Sequence, residues 1–290
     1  MTLAPHRRPG VLELRAPDRE ALPLIFDSPH SGTLWPADFR PAAPEASIRK
    51  SQDTFVHELF DAAPEHGAVL LHALFARAYI DPNRAIDDLD PALLGEPWPG
   101  GLNPTEKTAR GLGLIWRLAP PGDLPIYDRR LSSAEVAARI EGFWRPYHAA
   151  LGDAIGRLHA VHGEVVHVNC HSMHSVSSAM HAGGPGVPRP DIVLGDRDGT
   201  SCSGALTRFV RDFLEARGCS VAVNDPYKGV ELVRAYSDPA RRRHSLQIEI
   251  NRRLYLDEAS LERGPGFAAT RRLMADLVGA LAGLVRDGLG

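Results

Sequence analysis

The stretch Val165–His174 reads V-V-H-V-N-C-H-S-M-H, and its alternation restricts the fold more than any other part of the chain. Side chains in a strand point alternately to its two faces, so His167, Asn169 and His171 share one face. Open α/β sheets bind ligands beyond the carboxyl ends of their strands, where we expect His171. Two interpretations follow. Either His171 is a metal ligand on a core strand, or the stretch is an edge strand with a solvated polar face.

Strand-like and helix-like segments interleave along the 290 residues. Leu22–Phe26 and Leu246–Asn251 are further predicted strands, and the apolar spacing predicts helices over Gln52–Ala62 and Phe267–Arg286. Interleaving of this kind predicts a three-layer α/β sandwich with a mixed, mainly parallel sheet. Since no repeat or linker divides the chain, we expect one domain over residues 1–290, with about the first ten residues flexible.

Composition excludes several classes of protein. The net charge is -3 with both signs interspersed, so there is no basic field to attract nucleic acid. No apolar run approaches the roughly 20 residues that span a bilayer. Three cysteines without C-x-x-C spacing argue against a disulfide framework and favour a reducing cytoplasm.

A second histidine follows another predicted strand. Leu22–Phe26 runs into D-S-P-H-S-G, a turn sequence that places His30 just past the strand end. Catalytic zinc takes three protein ligands from His, Asp or Glu, so His30 and His171 supply two nitrogens. Asp53, at the start of the first predicted helix, is the candidate oxygen ligand. The alternative for Asp53 is an acid favoured there by the helix dipole.

Glu249 lies on the predicted strand L-Q-I-E-I-N, where its neighbours Ile248 and Ile250 face the other way. A buried glutamate is costly unless it is paired or functional. Burial raises a carboxyl pKa toward the working pH, so Glu249 is a candidate general base. The alternative is an edge strand whose polar face is solvated.

Arg77–Arg84 reads R-A-Y-I-D-P-N-R, and we predict a strand ending at Asp81 with Asn83 and Arg84 in the following turn. Arginine holds a carboxylate through two parallel hydrogen bonds, so this pair suits an anionic substrate. The alternative is a structural ion pair of Arg84 with one of the nearby carboxylates, Asp81, Asp87 or Asp88.

The segment Pro82–Asp128 changes in composition to Pro, Gly, Asp and Asn, with only Leu112–Leu118 resembling a strand. Plain connections are rarely this long, and long irregular segments are usually functional or disordered. Because the segment follows a strand end, we expect an active-site loop that shapes the pocket.

Taken together, these segments resemble those of N-formylglutamate amidohydrolases. The resemblance runs from about Leu24 to Glu258 and is carried in order by D-S-P-H-S-G (27–32), D-T-F-V-x-E-L-F (53–60), R-A-Y-I-D-P-N-R (77–84), P-I-Y (125–127), V-N-C-H-S-M (168–173), D-I-V-L-G-D-R-D-G-T-S-C (191–202), N-D-P-Y-K-G (224–229) and L-Q-I-E-I-N-R-R-L-Y-L-D-E (246–258). The family is distantly similar to zinc carboxypeptidases and aspartoacylases, which implies a phosphorylase/hydrolase-like fold.

The resemblance implies a metal, zinc by expectation, held by two histidines and a carboxylate. By position the ligands are His30, His171 and Asp53, although the related enzymes use glutamate at a different spacing for the third. Glu249 matches the base, and Asn83 with Arg84 matches the pair that binds a substrate carboxylate. The implied reaction releases formate and glutamate from N-formyl-L-glutamate, a small anionic N-acyl amino acid.

One segment departs from the family pattern. Many members read Gly-Gly and then Tyr-Ile-Thr after N-D-P-Y-K, whereas this chain reads G-V-E-L-V-R over residues 229–234. We expect that stretch to border the substrate, with Arg197 or Arg234 as a further anion contact. Two alternatives stay open: hydrolysis of another N-acyl amino acid or a cell-wall peptide amide, and a non-catalytic amino-acid-binding relative.

Overall fold

A single mixed sheet forms the middle layer of the protein. The computed structural model describes residues 3–18, 20–122, 124–178 and 184–288. Its strands are β1 (His6–Arg8), β2 (Leu12–Arg15), β3 (Leu24–Ser28), β4 (Val69–Ala73), β5 (Leu118–Ala119), β6 (Leu124–Pro125), β7 (Val165–Met173), β8 (Ile192–Gly195), β9 (Val221–Val223) and β10 (Arg243–Asn251).

The helices are α1 (Glu45–Arg49), α2 (Val56–Leu59), α3 (Glu106–Ala109), α4 (Ser133–Arg139), α5 (Arg145–His162), α6 (Gly204–Glu215), α7 (Glu231–Tyr236) and α8 (Phe267–Asp287). A π-helical turn at Ile140–Trp144 joins α4 to α5. Short 3-10 turns lie at Pro91–Leu93, Pro239–Arg241 and Arg252–Leu254. Among the described residues, no helix is both long and apolar enough to cross a membrane.

The large sheet has the strand order β1-β2-β4-β3-β7-β10-β8-β9. Its centre, from β4 through β3 and β7 to β10, is parallel. The β2–β4 and β10–β8 pairs are antiparallel, while β8 and β9 are parallel. The expected mixed, mostly parallel α/β sheet is therefore confirmed.

Successive side chains of the central strands point to opposite faces of the sheet, so the hydrophobic core consists of two clusters, one on each face. Val166, Val168 and Cys170 pack with the apolar faces of α6 and α8, whereas Ile25 and Leu71 belong to the cluster that contains α5. Helices therefore cover both faces, which gives three layers. Burial raises the pKa of the Cys170 thiol well above its ordinary value, as expected for a packing residue rather than a nucleophile.

Strand β7 is longer than predicted, and His171 lies within it rather than just past its end. The parallel pairing with β10 continues from Val165 to Met173 and places His171 opposite Glu249. Because paired residues of neighbouring strands point to the same side, the two polar faces form one surface. Neither strand is an edge strand, so the edge-strand alternatives for both stretches are wrong.

Two predicted elements are wrong in extent or type. The helix predicted over Gln52–Ala62 is regular only at Val56–Leu59, because Phe55 before it has left-handed backbone with φ of 64°. Arg77–Asp81 is a turn rather than a strand. The Tyr79 amide bonds to the Ala76 carbonyl at 3.0 Å, which closes a local turn and removes this donor from any strand ladder.

Two segments that were expected to be flexible or irregular contain regular secondary structure. In the first ten residues, His6–Arg8 pair antiparallel with Leu12–Leu14 at the sheet margin. The long segment 82–128 contains α3 and the small β5–β6 hairpin. It supplies several side chains to the cavity described below.

Gly32 ends the turn that carries His30, and no side chain fits there. A Cβ at this position would meet the backbone carbonyls of Leu74 and Phe75, because Leu34 bonds to the Leu74 carbonyl at 2.9 Å. This close approach fixes how the His30 turn lies against the chain that follows β4.

We predict that Gly32→Ala destabilises the protein by about 2 kcal/mol, because overpacking against backbone leaves little room to relax. The free energy of unfolding in urea measures this. Gly156→Ala is the matched control, since a Cβ there meets nothing within 4 Å in helix α5. It should be neutral or stabilising by up to about 1 kcal/mol. Equal effects of the two substitutions would contradict the packing argument.

Candidate metal centre and active site

Three buried side chains from separate parts of the chain converge beyond the sheet centre. One ligand atom each from His30, Asp53 and His171 lies within 4.8 Å of the others. The Asp53 Oδ2 atom is 3.4 Å from Nδ1 of His30 and 3.1 Å from Nδ1 of His171. The three residues predicted as ligands are thus brought together.

The His30 ring is oriented by a carboxylate on its far side. Its Nε2 atom lies 2.7 Å from Asp81 Oδ1, and Asp81 is itself held by the Arg77 guanidinium at 2.9 Å. An acceptor at Nε2 requires that this nitrogen carry the proton, so Nδ1 keeps its lone pair. The Nδ1 atom is buried and has no hydrogen-bond partner among the described residues. It is therefore suited to a metal.

The His171 ring is oriented through a longer chain of hydrogen bonds. Asn169 donates from Nδ2 to Asp27 Oδ1 at 2.7 Å, because a carboxylate only accepts. The Asn169 Oδ1 atom then faces His171 Nε2 at 2.7 Å and accepts its proton. Tyr147 donates to the other oxygen of Asp27 at 2.7 Å and fixes that carboxylate. His171 is thereby left with an unprotonated Nδ1 toward Asp53.

Asp53 stays ionised although it is buried. Burial raises the pKa of its carboxyl, but its contacts with His171 and His30 and the charge of Arg77 together hold the pKa well below its ordinary value. Arg252 also donates to Asp53 Oδ1 at 3.1 Å. The Asp53 oxygen facing the two histidines is thus a carboxylate oxygen.

Two imidazole nitrogens and one carboxylate oxygen form a donor set that zinc accepts at catalytic sites. Each histidine has an oxygen acceptor on its outer nitrogen, the arrangement that fixes metal-binding histidines elsewhere. The orphaned Nδ1 of His30 is the observation that fits a metal best, because a buried nitrogen without a partner is otherwise costly. The residues present therefore fit the expected zinc ion.

Glu249 lies beside this group on the neighbouring strand. It is opposite His171 in the β7–β10 register and lines the cavity with it. Burial, and then the charge of Asp53, raise the pKa of Glu249 well above its ordinary value, while nearby cations oppose the shift. Gln247 donates to its Oε1 atom at 3.1 Å. A raised pKa suits a group that must both accept and return a proton.

His30, Asp53, His171 and Glu249 line a cavity of about 700 Å³. Pockets of this size take small-molecule ligands. The cavity wall combines the metal-site residues with aromatic side chains of Trp116 and Tyr227 and with six cations: Lys50, Arg77, Arg84, Lys107, Lys228 and Arg252. Such a wall favours an anionic ligand.

Asn83 and Arg84 are both buried and both line this cavity. The Asn83 Oδ1 atom accepts from the Leu232 amide of α7 at 2.9 Å, which turns its Nδ2 toward His171 Nε2 at 3.1 Å. Because His171 Nε2 carries a proton, it cannot accept a hydrogen bond from the Asn83 side-chain amide. The two N–H groups of that amide therefore remain available to a ligand. The Arg84 guanidinium donates to the backbone carbonyls of Leu112 and Asn83, at 2.8 Å each.

Arg84 lies within 4.0 Å of no carboxylate among the described residues, so the structural ion pair considered as its alternative is absent there. Burial lowers the pKa of the guanidinium, and the nearby Asp81 opposes that shift. A desolvated cation without a counter-ion on a cavity wall is suited to a substrate carboxylate.

Three side chains of the long helical region hold the turn that carries these residues. Arg139 donates to the Tyr79 carbonyl at 3.0 Å, His148 Nε2 to the Pro82 carbonyl at 2.8 Å, and Trp144 Nε1 to the Arg84 carbonyl at 2.9 Å. The π-helical turn follows Arg139, contains Trp144 and precedes His148, and it changes the spacing of that face. Helical periodicity in the sequence gives no sign of this contact.

Two predicted substrate contacts lie elsewhere. Arg197 is in a turn with φ of 54° and donates to the Gly229 carbonyl at 3.1 Å. Arg234 is exposed and pairs with Glu231 at 2.8 Å in the first turns of α7. Neither lines the cavity, so their placement gives no support to a role in substrate binding. Of the departing 229–234 segment, only Gly229 and Val230 reach the wall.

Cavity residues that were not predicted include Arg77, Arg252 and Lys107. Both arginines lie within motifs that carry the family resemblance, and Arg252 directly follows β10, so their positions were a usable signal. Lys107 lies in the four-residue helix α3 within the long irregular segment, where no periodicity indicates which side chains face inward.

Comparison with known proteins gives a consistent result. A solved N-formylglutamate amidohydrolase from Ralstonia eutropha superposes with a TM-score of 0.92 and 47% identity, covering 96% of this chain and 99% of that one. A solved gene product of Agrobacterium tumefaciens shares the fold with a TM-score of 0.64 and 19% identity, covering 96% and 94%. The N-formylglutamate deformylase of Pseudomonas aeruginosa is 30% identical over 275 residues, 93% of this chain and 96% of the relative.

The fold and site thus define an enzyme of the amidohydrolase class built on a three-layer α/β sandwich. Residues 22–256 match the family described as N-formylglutamate amidohydrolase. The chain belongs to that family, and the resemblance inferred from its motifs is confirmed.

We predict that Asp81→Asn weakens zinc binding by roughly 10- to 100-fold, because loss of a carboxylate partner leaves a ligating histidine less basic and less well oriented. Competition with a chromogenic chelator measures the affinity. Glu249→Gln is the matched control, since it also neutralises a buried carboxyl but removes no predicted ligand or orienting group. An Asp81→Asn protein with wild-type zinc affinity would contradict the proposed role of Asp81.

Proposed function

We propose that this protein is a zinc-dependent hydrolase that cleaves the formamide bond of N-formyl-L-glutamate to give formate and L-glutamate. The observation that carries the proposal is the convergence of His30, Asp53 and His171 within 4.8 Å, with Glu249 in register beside them. The names of the relatives, N-formylglutamate deformylase and N-formylglutamate amidohydrolase, support the choice of substrate.

His30 and His171, through their Nδ1 atoms, and Asp53, through Oδ2, would hold the zinc ion. The chemistry that zinc supplies in such a site is Lewis acidity toward a carbonyl and acidification of water. Asp81 and Asn169 keep the two imidazoles in the tautomer that this role needs. Arg252 and Arg77 hold Asp53 in place and keep it ionised.

Glu249 is the proposed general base and then the general acid. It takes a proton from the water that attacks the formyl carbon, and the same carboxyl later delivers that proton to the nitrogen of the leaving glutamate. Burial beside the three proposed ligands raises the pKa of Glu249. A raised pKa brings the protonated and ionised forms of the carboxyl closer in free energy, so the group can both take up a proton and return it, which supports both roles.

Asn83 and Arg84 are proposed to bind a carboxylate of the substrate. Arg84 is held by carbonyls of Leu112 and Asn83, so its orientation is fixed before the ligand arrives. Preorganised donors of this kind lose little side-chain entropy on binding.

We further propose that the enzyme works in a reducing cytoplasm and contributes to histidine breakdown, in which formate and glutamate would be products of this step. The three cysteines are unpaired, which supports the location.

We predict that Glu249→Gln lowers kcat for formate release by roughly 100- to 10,000-fold, the range that a general acid–base group contributes. Stoichiometric zinc should remain bound, because no predicted ligand changes. Formate release from N-formylglutamate and elemental analysis of the same preparation measure the two quantities. A near-normal rate in the variant would refute the proposed role of Glu249.

A second candidate is hydrolysis of another N-acyl amino acid or of a cell-wall peptide amide. The cavity of about 700 Å³ favours it, because that space accepts acyl groups larger than formyl. Rates with a panel of formyl and acetyl amino acids and a short cell-wall peptide distinguish the candidates. The non-catalytic alternative predicts a protein without stoichiometric metal and without turnover of any of them.

A further inference from the structure

The six cations on the cavity wall differ in how their charge is balanced. Three of them have a carboxylate partner in the protein: Arg77 with Asp81 at 2.9 Å, Arg252 with Asp53 at 3.1 Å and Lys228 with Asp198 at 2.9 Å. A fourth, Lys50, is exposed, so water solvates its charge. Among the described residues, Arg84 and Lys107 are then the inward cations with no carboxylate within 4.0 Å; Glu249 acts on Lys107 only from farther away.

Lys107 is part-buried on the wall, and no carboxylate lies within 4.0 Å of its amine among the described residues. Its Nζ atom is 5.9 Å from the centre of the Tyr227 ring across the cavity. Burial, and then the charges of Arg84 and Arg77, lower the pKa of the ammonium to about 8. Desolvated like charges held near one another are stabilised by an anion between them.

The short helix that carries Lys107 is held in place by the buried side chain of Asp88. The Asp88 carboxylate accepts from the Thr105 amide at 2.8 Å and from the hydroxyl of Thr108, on either side of Lys107. Asp88 is buried, so the anchor belongs to the core and the lysine extends from a fixed base. The ammonium is therefore held on the cavity wall by a fixed backbone and is not a freely moving, solvated surface charge.

Arg84 and Lys107 thus present two separate positive positions to one ligand, and a diacid would satisfy both. Asn83, next to Arg84, lies 3.1 Å from His171, which places this position beside the proposed reacting centre. In an N-acyl amino acid, the α-carboxylate is one carbon from the scissile nitrogen, whereas a side-chain carboxylate is farther away. The α-carboxylate therefore belongs at Asn83 and Arg84.

We propose that Lys107 binds the side-chain carboxylate of an acidic N-acyl amino acid and so selects acidic over neutral side chains. The inference rests on the proposed function and names the residue that determines its specificity. Lys107 has no part in bond cleavage. It takes the role of second anion contact that the sequence pattern assigned to Arg197 or Arg234.

The test compares Lys107→Met with wild type on two substrates that differ only in the side-chain group, N-formylglutamate and N-formylglutamine. The variant should lose roughly 30-fold in kcat/KM for N-formylglutamate, the factor expected for one hydrogen bond between charged groups. The loss should fall mainly on KM, since the contact is the same in the ground state and the transition state. The value for N-formylglutamine should stay unchanged.

Two control variants separate recognition from folding. Arg110→Met removes the same charge from the residue that follows this helix, but Arg110 pairs with Glu106 at 3.8 Å and does not line the cavity. It should leave both substrates unaffected. Lys107→Arg keeps the charge and should recover part of the preference for N-formylglutamate.

Each outcome decides one question. An equal loss on both substrates, or no loss on either, overturns the role of Lys107. If wild-type protein releases no formate from N-formylglutamate, the proposed function is wrong. The site is then judged by calorimetric binding of N-formylglutamate to wild type and Lys107→Met, where equal affinities overturn the inference.

Discussion

The parallel pairing of β7 with β10 is the constraint on which the rest of the site depends. It sets His171 opposite Glu249 over nine paired positions and turns the polar faces of both strands to one side of the sheet. A register slip of one residue would exchange the apolar and polar faces. The hydrophobic packing of Val166, Val168 and Cys170 on the opposite side therefore fixes where the chemical groups point.

Charge burial is the main cost of this arrangement, and it is offset by a continuous network of hydrogen bonds. Asp27, Asp53 and Asp81 are all inaccessible to solvent or nearly so, and each is held by several donors. Low dielectric strengthens every such bond and penalises every missing one. The same hydrogen bonds also fix the tautomers of His30 and His171. They therefore both stabilise the buried carboxylates and hold the two histidines in the form that can bind a metal.

The sequence allowed the central part of this site to be predicted, because its residues follow the rules of strand alternation and strand ends. His30, His171 and Glu249 each lie on or just past an apolar segment that periodicity identifies. Asp53 lies in an irregular turn rather than in the predicted helix, and its pairing with the histidines was predicted from residue type and from the family resemblance. Sequence patterns do not indicate that Lys107 lines the cavity, and Arg197 and Arg234 lie outside its wall, because loop packing depends on contacts far apart in the chain.

Helix α3 has a further consequence for how such enzymes diversify. The reacting centre is embedded in the sheet, where nearly any substitution disturbs buried charge, whereas Lys107 extends from one short helical turn fastened by a single aspartate. Under the proposed role of Lys107, bond cleavage and side-chain selection depend on separate parts of the chain. A substitution in this turn would then change which side chain is accepted and leave the hydrolytic residues unaltered.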